Sequence, residues 1–180
     1  MKVFFGEVWD PIKDFYRMRI KKERLILTII PIFCGGVSFL IGINFHPQYE
    51  FSLSEFCVDV LNQILTILTL FISFSMAYLS ILITSSSQNV DGLKDTNSRK
   101  YFLRGRACTL YQVLASEITY TLVFEIFFLA LVLAERFLLY ALSSNILQML
   151  LALDIALFVH VMMMMLLIVK NIYYSFWKSR

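Results

Sequence analysis

Four stretches of this sequence are apolar over a length that crosses a bilayer, and they constrain the fold more than any other feature. Leu25–Phe45, Val58–Ile83, Ile118–Leu139 and Ile146–Val169 each reach the roughly 20 residues that, at about 1.5 Å per residue, cross about 30 Å of hydrocarbon. Helices are the expected solution, since an isolated strand would leave its backbone polar groups unpaired in lipid. Composition agrees: 59% of the 180 residues are hydrophobic and 16% charged, against about 45–50% and about 25% in a soluble domain. A soluble core of this size could not bury that much apolar surface, which excludes a water-soluble enzyme. The expected fold class is all-α: a polytopic membrane protein with four transmembrane helices behind an interfacial amphipathic helix.

Lysine and arginine distribution predicts the orientation. Residues 1–24 carry Lys2, Lys13, Arg17, Arg19, Lys21, Lys22 and Arg24. The segment after the second span carries Lys94, Arg99, Lys100, Arg104 and Arg106, and the tail carries Lys170, Lys178 and Arg180. The other two connections hold Arg136 alone. Fifteen cations against one place both termini and the middle loop in the cytoplasm by the positive-inside rule. The net charge of +3 is therefore a topology signal before it is a sign of nucleic-acid binding. No signal peptide is expected, because the basic lead runs 24 residues with no small-residue cleavage site after it. A multi-pass membrane location is expected.

The chain divides into a cytoplasmic amphipathic segment 1–24, spans at 25–45, 58–84, 112–139 and 146–170, a basic cytoplasmic loop 85–111 and a tail 171–180. In the first segment Phe5, Val8, Trp9, Ile12, Phe15 and Tyr16 recur at helical spacing. Asp10-Pro11 reads as an N-cap with first-turn proline. Such a helix lies along an anionic leaflet or simply positions the first span. Pro31, Gly35, Gly36 and Gly42 in the first span favour close packing or a kink over a gate. In the loop, Thr84-Ser85-Ser86-Ser87-Gln88 is polar enough to extend the second helix. Tyr101–Cys108 reads as a hairpin turning at Gly105. Thr109 and Gln112 have capping-box spacing, so the third helix is expected to begin near Leu110.

The second span carries the most informative pattern. Asp59, Thr66, Ser73, Ser80 and Ser87 stand at seven-residue intervals, with Asn62 and Thr69 between them and Gln63 alongside. Seven residues are almost two turns, so these side chains form one stripe about 40 Å long. Packing through small hydroxyls explains part of such a stripe, each interhelical bond contributing about 0.6 kcal/mol. A water-filled path explains its length. Four helices do not enclose a pore, whereas a ring of subunits does. Asp59 then forms an acidic outer ring favouring cations, and Asn62, Thr66, Thr69, Ser73 and Ser80 line the path with Ser87 at its inner end.

Glu125, Asp154 and His160 lie inside spans, where an ionisable residue marks function by default. Glu125 and His160 fall at similar depth, about 13–15 Å from the basic side, and can pair as carboxylate and imidazolium. Asp154 is within reach of Arg136. A buried pair that fixes packing is the competing account, and a proton- or voltage-sensing role the sharper one. Glu117 and Thr121 continue the Glu125 face. Cys34, Cys57 and Cys108 are widely spaced, so neither a disulfide nor a metal site is expected, nor any cofactor. No phosphate loop, GxSxG or HExxH motif is present and no nucleophile stands at a recognisable spacing, so no catalytic residues are expected.

Thr84-Ser85-Ser86-Ser87 closing the second span, the short basic loop and Leu110-Tyr111-Gln112 opening the third give the chain a further likeness. It resembles the small four-helix membrane proteins encoded in bacterial anti-phage defence operons, the channel subunit of the Hailong type and the membrane subunit of the Kiwa type. The first resemblance implies a tetrameric channel held shut by nucleotide oligomers from a partner nucleotidyltransferase. The second implies an infection-sensing assembly working with a soluble DNA-binding partner. Lys94, Arg99, Lys100, Arg104 and Arg106, interleaved with Tyr101 and Phe102, supply the cations and aromatics that meet phosphates and bases, although positive-inside charge explains the same cations. The leading expectation is a homo-oligomeric channel gated from the cytoplasm by a nucleotide, oligonucleotide or soluble operon partner. The alternative is a non-conducting scaffold that recruits such a partner to the bilayer.

Overall fold

The computed structural model describes residues 9–44, 53–85 and 88–177. In chain order these form α1 (Asp10–Met18), α2 (Lys21–Asn44), α3 (Leu53–Thr84), α4 (Gln88–Asp95), β1 (Asn97–Leu103), β2 (Arg106–Thr109), α5 (Leu110–Leu138), a 3-10 turn (Leu139–Ala141) and α6 (Ser144–Trp177). Helices α2, α3, α5 and α6 are long and apolar enough to cross a membrane. They coincide with the four apolar stretches, and each begins ahead of its stretch. In α2 the run Lys21-Lys22-Glu23-Arg24, all good helix formers, carries the helix ahead of Leu25.

The four long helices pack in the order α2–α6–α5–α3, with α3 also touching α6. Helices α2 and α3, successive in sequence, have no substantial contact. The α2–α6 crossing is tight because Gly35 meets small residues. A Cβ on Gly35 would lie 2.7 Å from the carbonyl oxygen of Ala152 and 2.9 Å from Cβ of Ala156, whereas Gly36 faces open space. The main core joins Leu61, Ile64 and Leu68 of α3 to Phe128 and Val132 of α5 and Val161 of α6. On the outside, α2 exposes Leu25, Ile29, Ile32, Phe33, Leu40 and Ile41, a surface suited to hydrocarbon rather than water.

One end of this bundle carries the hairpin. Strands β1 and β2 pair antiparallel around a two-residue loop, Arg104-Gly105. Both loop residues have positive φ, 51° and 80°, the conformation that matches the right-handed strand twist. Helix α5 begins at Leu110 behind a full capping box: Gln112 N donates to Thr109 Oγ1 at 3.2 Å, and Thr109 N donates to Gln112 Oε1 at 3.0 Å. The polar run after the second span does not extend α3. That helix ends at Thr84 and a separate helix, α4, starts at Gln88. Serine hydroxyls competing for backbone groups disfavour helix continuation there.

Helix α1 keeps its amphipathic pattern, burying Phe15 and Met18 while Lys13 and Arg17 stay exposed. Its N-cap is Trp9, with no side-chain cap bond, and Asp10 is already inside the first turn. Phe5 and Val8 lie outside the described residues. The helix runs antiparallel to α5: Trp9 stacks on Phe127 at 5.8 Å, Phe15 on Tyr120 at 4.0 Å, and Met18 meets Cys108 at 3.5 Å.

Candidate functional site

The polar stripe lies on the face of α3 turned away from its partners. Cys57, Leu61, Ile64, Leu68, Ser75 and Leu82 form the packed face. Asp59, Gln63, Thr66, Thr69, Ser73 and Ser80 are exposed on the other side and Asn62 is half-buried. Ser87 lies outside the described residues. Three of the hydroxyls bond within their own helix rather than across the bundle. Thr66 Oγ1 donates to the Asn62 carbonyl at 2.9 Å, Thr69 Oγ1 to the Thr66 carbonyl at 2.8 Å, and Ser73 Oγ to the Thr69 carbonyl at 2.8 Å. This back-bonding satisfies these three hydroxyl donors within their own helix and leaves their lone pairs facing outward.

Inside the bundle neither expected charge pair forms. His160 does not pair with Glu125. Its Nδ1 meets the Leu27 carbonyl at 3.1 Å and its Nε2 meets the Tyr120 hydroxyl at 2.9 Å. Pro31, four residues after Leu27, has no amide hydrogen, so it frees the carbonyl that His160 takes. Glu125 is fully buried and neither carboxyl oxygen has a hydrogen-bond partner. Buried Ser75 is the polar group beside it. Asp154 does not meet Arg136, which is exposed, but faces Glu135. Arg136 follows Glu135 directly and so points about 100° away around the helix.

At the hairpin end a network absent from the sequence reading ties four elements together. Buried Arg19, between α1 and α2, forms a salt bridge with buried Glu117 of α5, donates to Tyr101 Oη of β1 at 2.9 Å and pairs with Glu23 of α2 at 3.4 Å. Asn171 of α6 donates to both Glu117 oxygens, at 2.6 and 2.8 Å. Lys100 closes the network on Glu23. That carboxylate raises the proton affinity of Lys100, while burial raises that of the Tyr101 phenol. Glu117 was visible in the sequence through its spacing to Thr121 and Glu125. Arg19 looked like one more cytoplasmic cation, and Asn171 and Glu135 carried no local signal.

The loop cations therefore divide. Lys100 is engaged, and the Tyr101 ring is buried with the Arg19 guanidinium 5.0 Å from its centroid, so it offers no free face for a base. Lys94 pairs with Asp91 at 3.1 Å and stands 5.7 Å from the Tyr111 ring. Arg99, Arg104 and Arg106 are exposed, with Phe102 among them. A groove of about 500 Å³ runs between α1, the hairpin and the start of α5, lined by Asp14, Arg106, Tyr111 and Gln112 among others. Among the described residues no group of three or more His, Cys, Asp or Glu side chains is placed to hold a metal ion. No family model, curated protein or solved structure matches this chain.

Proposed function

We propose that the chain is the subunit of a homo-oligomeric ion channel whose pore is walled by the polar face of α3. The observation that carries this reading is the exposure of Asp59, Thr66, Thr69, Ser73 and Ser80 opposite the packed face of a membrane-length helix. The interior of one subunit is filled, with Leu68, Val132 and Val161 fully buried at its centre, so an aqueous path runs between subunits rather than through one. A ring of copies turns the polar faces to a common axis and the apolar face of α2 to lipid. Four copies are the favoured number. By the positive-inside rule the hairpin end is cytoplasmic, which puts Asp59 at the outer mouth, favouring cations.

Control comes from the hairpin end, where exposed Arg99, Arg104 and Arg106 offer phosphate-bearing ligands or an acidic partner a contact. The resemblance to membrane subunits of anti-phage defence operons gives the channel a purpose, depolarising an infected cell of the bacterial inner membrane in which it sits. The decisive experiment is conductance in planar bilayers for wild type and Thr66→Leu/Ser73→Leu. Openings abolished in the variant support α3 as the wall, and unchanged openings remove it.

A second reading, a scaffold that recruits a soluble defence protein, is favoured by the groove beside Arg106 and the exposed Phe102. Its test is co-purification with the product of the neighbouring gene after replacing Arg99, Arg104 and Arg106 by alanine. Retained binding would exclude the hairpin as the dock.

A further inference from the structure

A second polar feature, independent of the α3 stripe, sits in the half of the bundle far from the hairpin. Asp154 of α6 is 1% exposed and Glu135 of α5 is 6% exposed. The two acids open on one small cavity, and each is the polar neighbour of the other. Oδ1 of Asp154 and Oε1 of Glu135 have no hydrogen-bond partner. Both residues line a cavity with about 10 Å³ of water-accessible space, walled also by Cys57, Leu61, Leu147 and Leu151. That is room for one water, bounded by the polar atoms a water needs.

The surroundings decide what the pair can bind. From α3 the only ionisable side chain lining the cavity is the Cys57 thiol. The 3-10 turn contributes Leu139, and α6 contributes Leu147, Leu150 and Leu151 besides Asp154. On α5 the adjacent Arg136 is exposed and does not line the cavity. No ion pair among the described residues reaches either acid. Two carboxylates side by side and out of water repel each other and each forfeits its hydration, so both are not ionised together. A calcium or magnesium ion needs a fuller shell of oxygens than two carboxyls give, and the one further donor at the cavity, the Cys57 thiol, is a soft ligand not placed with them to hold a metal ion. A proton needs only two facing oxygens.

We propose that Glu135 and Asp154 form a proton-binding site that holds one proton between them at the α5–α6 junction, with a single water in the adjoining cavity on their two free oxygens. Removing the proton sets two negative charges against each other across that junction and loosens it, so the far half of the bundle responds to pH on its own side of the membrane. Glu125, buried near Ser75 elsewhere in the core, is not part of this pair and serves as its internal control.

The test is infrared spectroscopy of the full chain in lipid nanodiscs at neutral pH, comparing water with deuterium oxide. Wild type is expected to show the carbonyl stretch of a protonated carboxylic acid, shifted by deuterium. Glu135→Gln/Asp154→Asn is expected to lose a component that Glu125→Gln retains. An acid band unchanged in the double variant, or no acid band at all, would overturn the proposal. Asp154→Asn alone keeps a hydrogen-bond donor in the proton's place and so guards against loss of folding. Wild-type thermal stability supplies the second readout: it should fall from mildly acidic to mildly alkaline pH, less so in the double variant. Stabilisation by sodium or calcium that the double variant lacks would assign the site to a cation instead.

Discussion

At the scale of single residues, Pro31 and His160 depend on each other. Proline leaves the Leu27 carbonyl without its helical partner, and His160 Nδ1 takes it at 3.1 Å. A carbonyl only accepts, so Nδ1 carries the hydrogen, and in the neutral imidazole Nε2 accepts from Tyr120. With the Tyr120 hydrogen committed there, the Tyr16 hydroxyl, 3.2 Å away, donates to the Tyr120 oxygen. His160→Ala leaves the Leu27 carbonyl unsatisfied in a buried place and the Tyr120 phenol with Tyr16 alone, at an expected cost of about 1–3 kcal/mol. In a Pro31→Ala background the amide of residue 31 can serve the Leu27 carbonyl, so the same histidine change should cost less. A double-mutant cycle of unfolding free energies in detergent measures the difference. Each residue was conspicuous in the sequence. Their meeting was not, because 128 residues separate them and spacing along one helix says nothing about contacts between two.

At the scale of elements, local chemistry was legible and long-range packing was not. The capping box at Thr109 and the turn at Gly105 depend on residues three or fewer apart, and both were readable. The break between α3 and α4 is also local, but there apolar periodicity faded into serines and the hydropathy pattern gave no stop. Glycines in α2 looked alike in sequence and differ in place. Gly35→Val drives a side chain into Ala152 and Ala156 and should destabilise the fold by about 1–3 kcal/mol, whereas Gly36→Val meets nothing within 4 Å and should be nearly neutral. Thermal midpoints of the two variants, read side by side, check this.

The hairpin carries a pH prediction of its own. The Glu23 carboxylate raises the proton affinity of Lys100 above its ordinary 10.5, and burial raises that of Tyr101 above its ordinary 10.0. Both groups hold their protons more tightly when the hairpin is docked. Their contribution is complete below the ordinary values and is lost as pH rises through the shifted ones. Half-exposure of Lys100 keeps its share small. A spin label at Arg104→Cys should become more mobile in strongly alkaline buffer, and Lys100→Met should change its mobility at neutral pH only slightly, with Tyr101 still docked.

Across the whole molecule, the Arg19 network joins both chain ends of the bundle to the hairpin. Arg19→Ala strands the Glu117 carboxylate, 1% exposed, and should cost about 3–5 kcal/mol, since a buried charge then has lost its cation. Glu117→Gln keeps a neutral group on Asn171 and should cost less. If copies of the chain do meet through α3, Ser73→Cys should cross-link between subunits under oxidation and Phe33→Cys, on the exposed face of α2, should not. The sequence distinguished polar from apolar helix faces well. It did not say which helices pair, because the same apolar residues suit lipid and protein neighbours alike.

That pairing has a bearing on how the protein is made. Helix α2 packs chiefly on α6, the fourth of these long helices in chain order, and has no substantial contact with α3, which follows it. The first span must therefore stay in the bilayer, or with the insertion machinery, while more than a hundred further residues are synthesised. Until α6 arrives, Gly35 has no Ala152 to pack on and the carbonyl freed by Pro31 has no histidine. A nascent chain halted before Ser144 would expose that unfinished surface to quality-control proteases, so truncated products should be degraded rather than accumulate as half-bundles.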